Sequence, residues 1–347
     1  MTANHDLYIR HCFNLAKRSG KDVNVNPHVG AVIVSQGRII GTGWHQKYGE
    51  AHAEINAFLS VSHKDRQFIK GADLYVSLEP CHSIGKTGPC SKAIIEHGIK
   101  RVFVSALDPT IQGKSLRFLE SQGIEVQSGY LEDLGNKLIE PFQIQQEKKR
   151  PFVILKYAQS KDYFIGKKDL QYWISNEYSK LQVHKWRSEV DGILIGVNTL
   201  LIDDPQLNTR LYPGDSPRPI IIDPKLRSDT RNRLFNLAKK PIVFTAIADS
   251  KKVNAEIIQI DFDNDPLDQI LTVLHSEYNI ARLLVEGGAK TLKCFIEAKL
   301  WDEARVITGS QFFKEGIKAP NLSGHLINSY HLDEDFVRII RPEALLS

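Results

Sequence analysis

The first half of the chain carries a histidine, a glutamate and two cysteines whose types and spacing suit hydrolysis at a zinc ion. His52 and Glu54 stand two residues apart, and Cys81 and Cys90 each follow a proline. Zinc favours thiolate and imidazole ligands, and a catalytic zinc keeps a fourth position for water. Because bound zinc lowers the pKa of that water to about 7, a carboxylate that is not a ligand can move its protons.

The elements around these residues must place them together. Positions two apart on an ideal helix differ by about 200°, so His52 must stand before a helix and Glu54 in its first turn. Cys81 follows a strand-like run, and Cys90 opens a helical one, where a helix N-terminus favours the thiolate. Taken singly, each residue also fits a structural role. The full set matches the signature of zinc deaminases, with His52, Cys81 and Cys90 as ligands and Glu54 as the catalytic proton carrier.

Length and composition bound the alternatives. A chain of 347 residues exceeds what one core usually organises, which predicts two domains. The net charge of +4 gives no support for nucleic-acid binding, and four cysteines in so long a chain are no disulfide framework. Cys12 and Cys294 are predicted as core residues. Without a secretory signal or an apolar run of about 20 residues, the chain is expected to be cytoplasmic, away from membranes.

The first half alternates strand-like and helical stretches, which predicts a sheet covered by helices. Asn26 stands in a loop before a strand, and His45 ends the hairpin that follows. Each fits a plain turn or surface role, and each could also contact a pyrimidine, whose edge pairs well with an amide. Helices are predicted over 7–19 and 115–122, and strands over 31–34, 101–107 and 124–126.

A polar run over 143–150 lacks apolar periodicity, and the boundary is placed there, between domains 1–146 and 147–347. The basic triplet Lys148-Lys149-Arg150 is expected to be a solvated linker face. Beyond it, continuous apolar runs indicate strands buried on both faces, which predicts a second α/β domain. Strands are predicted over 152–158, 192–197, 219–222, 242–245, 281–285 and 304–307, and helices over 175–189, 266–277 and 289–299.

Polar residues follow two of these strands. Gly287 and Gly288 come after Glu286, where glycines would let a helix N-terminus approach a phosphate, although such a pair is more often only a tight turn. The pattern is not the dinucleotide-binding G-x-G-x-x-G. Ligands of α/β sheets bind at the carboxyl ends of strands, and Arg187 and Arg210 could each grip a phosphate or form surface ion pairs.

These motifs occur in one order along nearly the whole chain. Together they resemble the bifunctional pyrimidine deaminase/reductase family of riboflavin biosynthesis. The eight residues between Cys81 and Cys90 matter, because nucleic-acid and cytidine deaminases typically use C-x-x-C. The motifs are Asn26-Pro27-x-Val29-Gly30, His52-Ala53-Glu54, Glu79-Pro80-Cys81, Gly85-Lys86-Thr87, Pro89-Cys90, Asp203-Asp204-Pro205-x-Leu207 and Val285-Glu286-Gly287-Gly288.

The resemblance implies a cytidine-deaminase-like N-terminal domain and a C-terminal domain similar to dihydrofolate reductase. It implies that zinc-dependent deamination of a diaminopyrimidinone ribosyl phosphate precedes NADPH-dependent reduction of the ribosyl group, in what is expected to be a homo-oligomer. Residues matching the family's deaminase substrate contacts are Asn26, His45, Lys86 and Thr87. Residues matching its cofactor contacts are Ala158, Trp173, Thr199, Asp203 and Gly288, and those matching reductase substrate contacts are Arg187, Leu207, Arg210 and Glu286.

The chain departs from the family pattern at four positions. Tyr163 stands where glycine is usual, and this bulk is expected to narrow the nicotinamide site or alter its loop. Thr110 replaces asparagine, Ser115 replaces glycine and Val25 replaces proline. Two other functions remain open from the residues alone: a nucleic-acid base deaminase with an accessory domain, and a zinc-stabilised binding module without catalysis.

Overall fold

The computed structural model describes residues 4–82, 88–167, 172–247 and 253–343. The chain divides into two compact units, Met1–Lys148 and Lys149–Ser347. Within the described ranges, every helix is too short or too polar to span a lipid bilayer.

The polar run predicted as a linker is structured in a different way. Residues up to Lys148 complete a helix, and Arg150 is buried instead of solvated. Its guanidinium donates to both carboxylate oxygens of Asp302, at 2.6 and 2.8 Å. Arg150 therefore belongs to the interior of the second unit, because a buried charge needs a partner of opposite sign.

The first unit is a five-stranded sheet with the order β2-β1-β3-β4-β5. Strand β1 pairs antiparallel with β2 and β3, and β3, β4 and β5 run parallel. Its strands are β1 (Gly30–Ser35), β2 (Arg38–Trp44), β3 (Asp73–Leu78), β4 (Arg101–Ala106) and β5 (Glu125–Ser128). Its α-helices are α1 (His5–Ala16), α2 (Ala53–Ser60), α3 (Cys90–Glu96), α4 (Lys114–Ser121) and α5 (Glu132–Lys148).

Two glycines of β2 allow helix α2 to lie directly on the sheet. A Cβ atom at Gly43 would come within 2.3 Å of the Ala53 carbonyl oxygen, and one at Gly41 within 2.5 Å of the Ala57 carbonyl oxygen. Because alternate residues of a strand face the same side, both glycines meet the helix together. This close approach fixes the start of α2 against the sheet.

The second unit has a nine-stranded sheet with the order β11-β10-β9-β8-β12-β6-β13-β16-β15. The first seven strands in this order, from β11 to β13, run parallel to one another. Strand β16 pairs antiparallel with both β13 and β15. The nine strands of this sheet are β6 (Phe152–Gln159), β8 (Gly192–Gly196), β9 (Arg218–Ile222), β10 (Ile242–Thr245), β11 (Glu256–Gln259), β12 (Arg282–Val285), β13 (Glu303–Thr308), β15 (His325–Leu332) and β16 (Asp335–Arg341). A separate two-stranded antiparallel sheet consists of β7 (Phe164–Gly166) and β14 (Ile317–Lys318). The α-helices of this unit are α6 (Glu177–Ser188), α7 (Val197–Asp203), α8 (Pro266–Ser276) and α9 (Ala289–Glu297).

The α/β prediction is confirmed for both halves, and the predicted central strands occur within about two residues of their expected bounds. Helix α7, which follows β8 directly, was not predicted from the sequence. The terminal β15–β16 hairpin was not predicted either, because β15 is mostly exposed and lacks a continuous apolar run. Strand β12 returns between β8 and β6, which creates a topological switch point at the carboxyl ends of the parallel strands.

Candidate active sites

The structure brings His52, Cys81 and Cys90 together. One ligand atom from each residue lies within 4.8 Å of the other two. Nδ1 of His52 is 3.5 Å from Sγ of Cys81 and 3.3 Å from Sγ of Cys90. Two sulfurs and one imidazole nitrogen fit a zinc ion that keeps one position open for water. Within the described residues, this is the one group of side chains that meets the requirements of a metal site.

Local structure explains this convergence. His52 is the N-cap of α2, and Cys90 is the first residue of α3, as the spacing predicted. The backbone N–H of Cys90 donates to Sγ of Cys81 at 3.2 Å. Hydrogen bonds from the Cys90 thiol and from His52 lower the pKa of Cys81 well below its ordinary value, against the effect of burial. Cys81 is therefore prepared as the thiolate that binds metal.

Glu54 lies in the first turn of α2 and is buried. Burial, followed by the negative charge of Cys81, raises the pKa of Glu54 to about 7. A carboxyl group with a pKa near neutrality can both accept and release a proton under physiological conditions. The side chain interacts with Cys90 and so lies beside the ligand cluster.

Asn26 and His45 form a hydrogen-bonded pair beside the ligand cluster. Nδ2 of Asn26 donates to Nε2 of His45 at 3.0 Å, and Nδ1 of His45 donates to the Ala51 carbonyl at 3.2 Å. The His45 ring is 5.3 Å from that of His52, centroid to centroid. Burial lowers the pKa of His45, so the ring is neutral at pH 7. Lys86 and Thr87 lie outside the described residues.

The second unit contains a cavity of about 1460 Å³ at the carboxyl ends of the parallel strands. Eight of the nine residues expected to bind ligands in this unit line it. Ala158 is not among its described lining residues and packs beside two apolar clusters instead. The eight are Trp173, Arg187, Thr199, Asp203, Leu207, Arg210, Glu286 and Gly288.

Glu286 is the centre of a buried ion cluster in the cavity wall. Arg187 binds its carboxylate with two nitrogens, at 2.8 and 2.9 Å, and Nζ of Lys156 is 3.5 Å away. Burial alone would raise the pKa of Glu286, but Arg187 and Lys156 outweigh it and hold the pKa at about 2. Two cations thus face one carboxylate, which leaves excess positive charge in the wall. Lys156 was not predicted as a site residue, because an isolated lysine in an apolar strand gives no sequence signal.

Thr199 joins the ends of two neighbouring strands. Its hydroxyl oxygen accepts from the backbone N–H of Gly288 at 2.8 Å, where helix α9 begins. A Cβ atom at Gly287 would lie 3.0 Å from the Gly196 nitrogen, so the chain segments after β8 and β12 are in close contact. The turn predicted from Gly287 and Gly288 therefore exists, and Thr199 fixes it.

Comparison with known proteins identifies the chain. Its residues 2–106 match the family model for the cytidine and deoxycytidylate deaminase zinc-binding region, and residues 151–317 match that for the RibD C-terminal domain. The riboflavin biosynthesis protein RibD of Aquifex aeolicus is 36% identical over 323 residues, which are 91% of this chain and 89% of that protein. This chain belongs to the RibD family.

Two further similar proteins support this assignment. The Bacillus amyloliquefaciens RibD is 36% identical over 86% of this chain and 82% of its own. A solved deaminase/reductase from Thermotoga maritima, named for diaminohydroxyphosphoribosylaminopyrimidine and 5-amino-6-(5-phosphoribosylamino)uracil, is 34% identical, with a TM-score of 0.89 over 97% of this chain and 98% of that one. The chain is thus a bifunctional enzyme of riboflavin biosynthesis, with a zinc-binding deaminase domain and an NADPH-dependent reductase domain, not a nucleic-acid base deaminase or a binding module.

The structure accommodates two of the departures from the RibD pattern. The buried Glu79 carboxylate holds the 108–115 loop, accepting from the backbone nitrogens of Asp108 and Gly113 and from both the nitrogen and the hydroxyl of Ser115. Thr110 donates through its nitrogen and its hydroxyl to the Asp108 carboxylate, at 2.8 and 2.6 Å. Both substituted side chains therefore add hydrogen bonds to a loop that begins directly after β4.

Two expectations about the second unit are corrected. Tyr163 is 63% exposed and is absent from the described lining of the cavity, so its bulk does not narrow the site. It instead adopts a left-handed backbone conformation with φ of 66°. Cys294, predicted as a core residue, is exposed and lines the cavity, because it lies on the outer face of α9.

His184 also lies in the cavity wall, although the sequence did not predict it as a site residue. It lines the cavity one helical turn before Arg187, and among the described residues its buried Nδ1 has no hydrogen-bond partner. Burial, with the nearby charges of Arg187 and Arg210, lowers the pKa of His184 to about 4, so the ring is neutral at pH 7. A histidine three residues before an arginine on a helix shares its face, and this spacing was the available signal.

Proposed function

We propose that the first unit deaminates 2,5-diamino-6-(5-phosphoribosylamino)pyrimidin-4(3H)-one and that the second reduces the ribosyl group of the product to ribityl. The observation that carries this proposal is the convergence of His52, Cys81 and Cys90 within 4.8 Å, beside a buried glutamate. Three ligands with a neighbouring carboxylate suit an open catalytic site, whereas structural zinc sites take four protein ligands.

In the first step, His52, Cys81 and Cys90 would hold zinc, which when bound supplies a water acidic enough for attack at neutral pH. Glu54, in the first turn of α2, would accept a proton from the water that attacks the amino-bearing carbon of the ring. It then donates a proton to the amino nitrogen, and ammonia leaves. Burial keeps bulk water from competing for that proton, and it raises the pKa of the Glu54 carboxyl group by disfavouring the charged form.

Asn26 and His45 support recognition of the pyrimidine. The His45 ring holds the Asn26 amide through one hydrogen bond, which leaves the amide oxygen and the second N–H of Asn26 for a ligand. These are a donor and an acceptor side by side, as the edge of a pyrimidinone requires. For Lys86 and Thr87, the support is the family resemblance alone.

In the second step, NADPH when bound would supply hydride to C1′ of the ribose, while the bond from C1′ to the ring oxygen breaks and that oxygen gains a proton from solvent. The chain's own residues orient both reactants. Arg187 is fixed by Glu286, and it acts with Arg210 as the support for the substrate phosphate. Thr199, Asp203 and Gly288 line the turn that would receive the cofactor diphosphate. For Trp173 and Ala158, the support is the family resemblance alone. Leu207 supplies an apolar contact for the substrate.

We further propose that the enzyme works in the cytoplasm as a homo-oligomer, on small phosphorylated pyrimidines. Family membership supports the setting. Strand β15 supports self-association, because it stands at the end of the sheet order and exposes Leu326 and Ile327. An unpaired edge with apolar side chains is a surface that another chain can cover. Light scattering of the purified protein tests this; a strict monomer at micromolar concentration contradicts it.

Glu54→Gln tests the proposed role of Glu54 as the carrier of the proton in deamination. The variant should bind zinc as the wild type does and release ammonia about 10²–10⁴-fold more slowly, because the amide cannot carry the proton. Glu50→Gln is the matched control, since it removes an exposed carboxylate four residues earlier and should leave the rate unchanged. Deamination by Glu54→Gln at the wild-type rate, with zinc present, would show that another group moves the proton.

A further inference from the structure

The segment that follows helix α7 is held in a strained conformation in the cavity wall of the second unit. Leu207 has a φ of 52°, in the left-handed region that residues with a Cβ atom rarely adopt, and its side chain is buried. Leu207 and Arg210 both line the cavity. Because such a conformation costs free energy, it persists only where neighbouring groups hold the backbone in place. The contacts that hold this segment therefore bear on how the cavity binds a ligand.

Asn208 is the point at which helix α6 holds the segment. Its backbone carbonyl accepts from Nη1 of Arg187 at 3.2 Å and also hydrogen-bonds to the ring of His184, one helical turn earlier. Because Nδ1 of His184 has no partner among the described residues, the donor is Nε2. A neutral imidazole carries a single N–H, so the N–H of His184 is committed to this carbonyl. The two side chains together fix the Asn208 backbone to the helix.

The side chain of Asn208 extends this contact to Arg210. Oδ1 of Asn208 accepts from Nη1 of Arg210 at 3.0 Å. The amide is neutral, so it orients the guanidinium without cancelling its charge, whereas the carboxylate of Glu286 neutralises Arg187. Arg210 is exposed and lines the cavity, so other N–H groups of the same guanidinium can reach an anion there.

The turn after Arg210 is closed without α6. Oγ1 of Thr209 donates to the Gly214 carbonyl at 2.9 Å, and the backbone nitrogen of Thr209 donates to Oγ of Ser216 at 3.2 Å. These bonds hold the turn to itself, but they do not fix its distance from helix α6. That distance depends on the two donors to the Asn208 carbonyl.

Of these two donors, His184 is the one that offers almost no surface to a ligand. Its side chain is buried, with 4% of the residue exposed, and its Nδ1 is buried as well. Arg187, by contrast, is proposed to support the substrate phosphate itself. Replacing His184 can therefore remove one hold on Asn208 without removing a contact to the substrate.

We propose that His184 is a positioning residue of the reductase, which through Asn208 places the guanidinium of Arg210 for the substrate phosphate. The inference rests on the proposed role of Arg210 in substrate binding and adds the residue that orients it. Loss of the N–H of His184 should weaken binding of a sugar phosphate. Binding of NADPH should not change, because Arg210 is assigned to the substrate.

The test uses the full-length enzyme and ribose 5-phosphate, which carries the sugar and the phosphate of the substrate. Isothermal calorimetry measures its affinity for the wild type, His184→Leu, His184→Gln, Arg210→Ala and the double variant of His184→Leu with Arg210→Ala. Leucine keeps the apolar bulk without an N–H, whereas the amide of glutamine can reach the position of Nε2 and restore the donor. His275→Leu is the matched control, because His275 also has a buried, unpartnered Nδ1 but is absent from the described lining of the cavity.

His184→Leu should bind ribose 5-phosphate about 5–10-fold more weakly, as expected for loss of one buried hydrogen bond. Its KM for the deaminated intermediate should rise by the same factor, with KM for NADPH unchanged. His184→Gln and His275→Leu should stay within about twofold of the wild type, a change too small for a lost hydrogen bond. In the Arg210→Ala background, His184→Leu should add less than about a twofold loss, because residues that act through one another are not additive.

Three results overturn the proposal: an unchanged affinity of His184→Leu, full additivity of its loss with that of Arg210→Ala, or an equal loss in His184→Gln. Asn208→Ala breaks the next bond toward Arg210 and should show the same loss, which decides the question if leucine at position 184 prevents folding. A wild type that neither binds ribose 5-phosphate nor reduces the deaminated intermediate would overturn the proposed reductase function, and this inference with it.

Discussion

The two sites of this chain are built in opposite ways. The deaminase cluster joins residues 29 and 38 positions apart, each at the end of a strand or the start of a helix. The reductase cluster joins Glu286 to residues 99 and 130 positions away, on different strands and helices. The first is therefore visible as a spacing pattern in the sequence, whereas the second becomes visible only when the sheet is assembled.

The two sites also differ in the charges that they bring together. The deaminase cluster collects two thiols and a carboxyl group around one imidazole, and these groups require a cation to be stable together. The reductase wall holds Arg187 and Lys156 against one carboxylate, and its excess charge suits anions. One unit is thus prepared for a metal and the other for phosphates, and perturbing one should leave the other intact.

Cys90→Ser tests that independence most severely. Removing a zinc-ligand partner costs about 10–100-fold in affinity or activity, so loss of a ligand itself should slow deamination at least about 10³-fold. Zinc content, measured by atomic absorption, should fall with it. NADPH oxidation with the already deaminated intermediate should continue at the wild-type rate.

The control for this variant is Cys12→Ser, which alters a buried thiol of the same unit outside the ligand cluster. It should keep its zinc and its deaminase rate. If Cys90→Ser also abolished NADPH oxidation, the two units would not be independent, and the comparison above would fail.

Glu286→Ala tests the non-local cluster. Removing the carboxylate leaves Arg187 and Lys156 buried without a counter-charge, which typically destabilises a protein by about 3–5 kcal/mol. The free energy of unfolding from urea titration should fall by this amount. Glu256→Ala breaks the more exposed pair with Arg218 and should change stability by less than about 1 kcal/mol. Equal effects from the two variants would show that burial of the cluster contributes nothing.

Features that depend on neighbouring residues in the sequence could be predicted, whereas contacts between distant residues could not. The continuous apolar runs of β8 and β12 identified buried strands, and the H-x-E spacing required the N-terminal position of His52 that the structure has. Lys156 could not be found in this way, because its partner Glu286 lies on a distant strand segment. Arg150 was assigned to solvent because its partner, Asp302, is 152 residues away.

The pH dependence of stability tests how much the Glu286 ion cluster contributes to the free energy of unfolding of the second unit. The pKa of Glu286 is about 2 in the folded protein, below its ordinary value of 4.5, so its stabilising effect is complete above about pH 4.5 and disappears as the pH falls through 2. A shift of this size corresponds to about 3 kcal/mol. Urea titrations between pH 5 and 2 should show a steeper loss for the wild type than for Glu286→Gln. Parallel curves would mean that the folded and unfolded pKa values do not differ.

Tyr163→Gly sharpens the comparison at a position of the second unit outside the described lining of the cavity. Tyr163 has φ of 66°, where a side chain costs about 1–2 kcal/mol that glycine avoids. Glycine also makes the unfolded chain more flexible, which offsets part of this gain. The variant should therefore be more stable by about 0.5–1 kcal/mol, measured by urea titration, with KM for NADPH unchanged because the exposed ring does not line the cavity. Tyr163→Ala keeps the backbone strain and should show no gain; if it stabilised the protein as much as glycine does, the tyrosine ring and not the backbone would be the source of the strain.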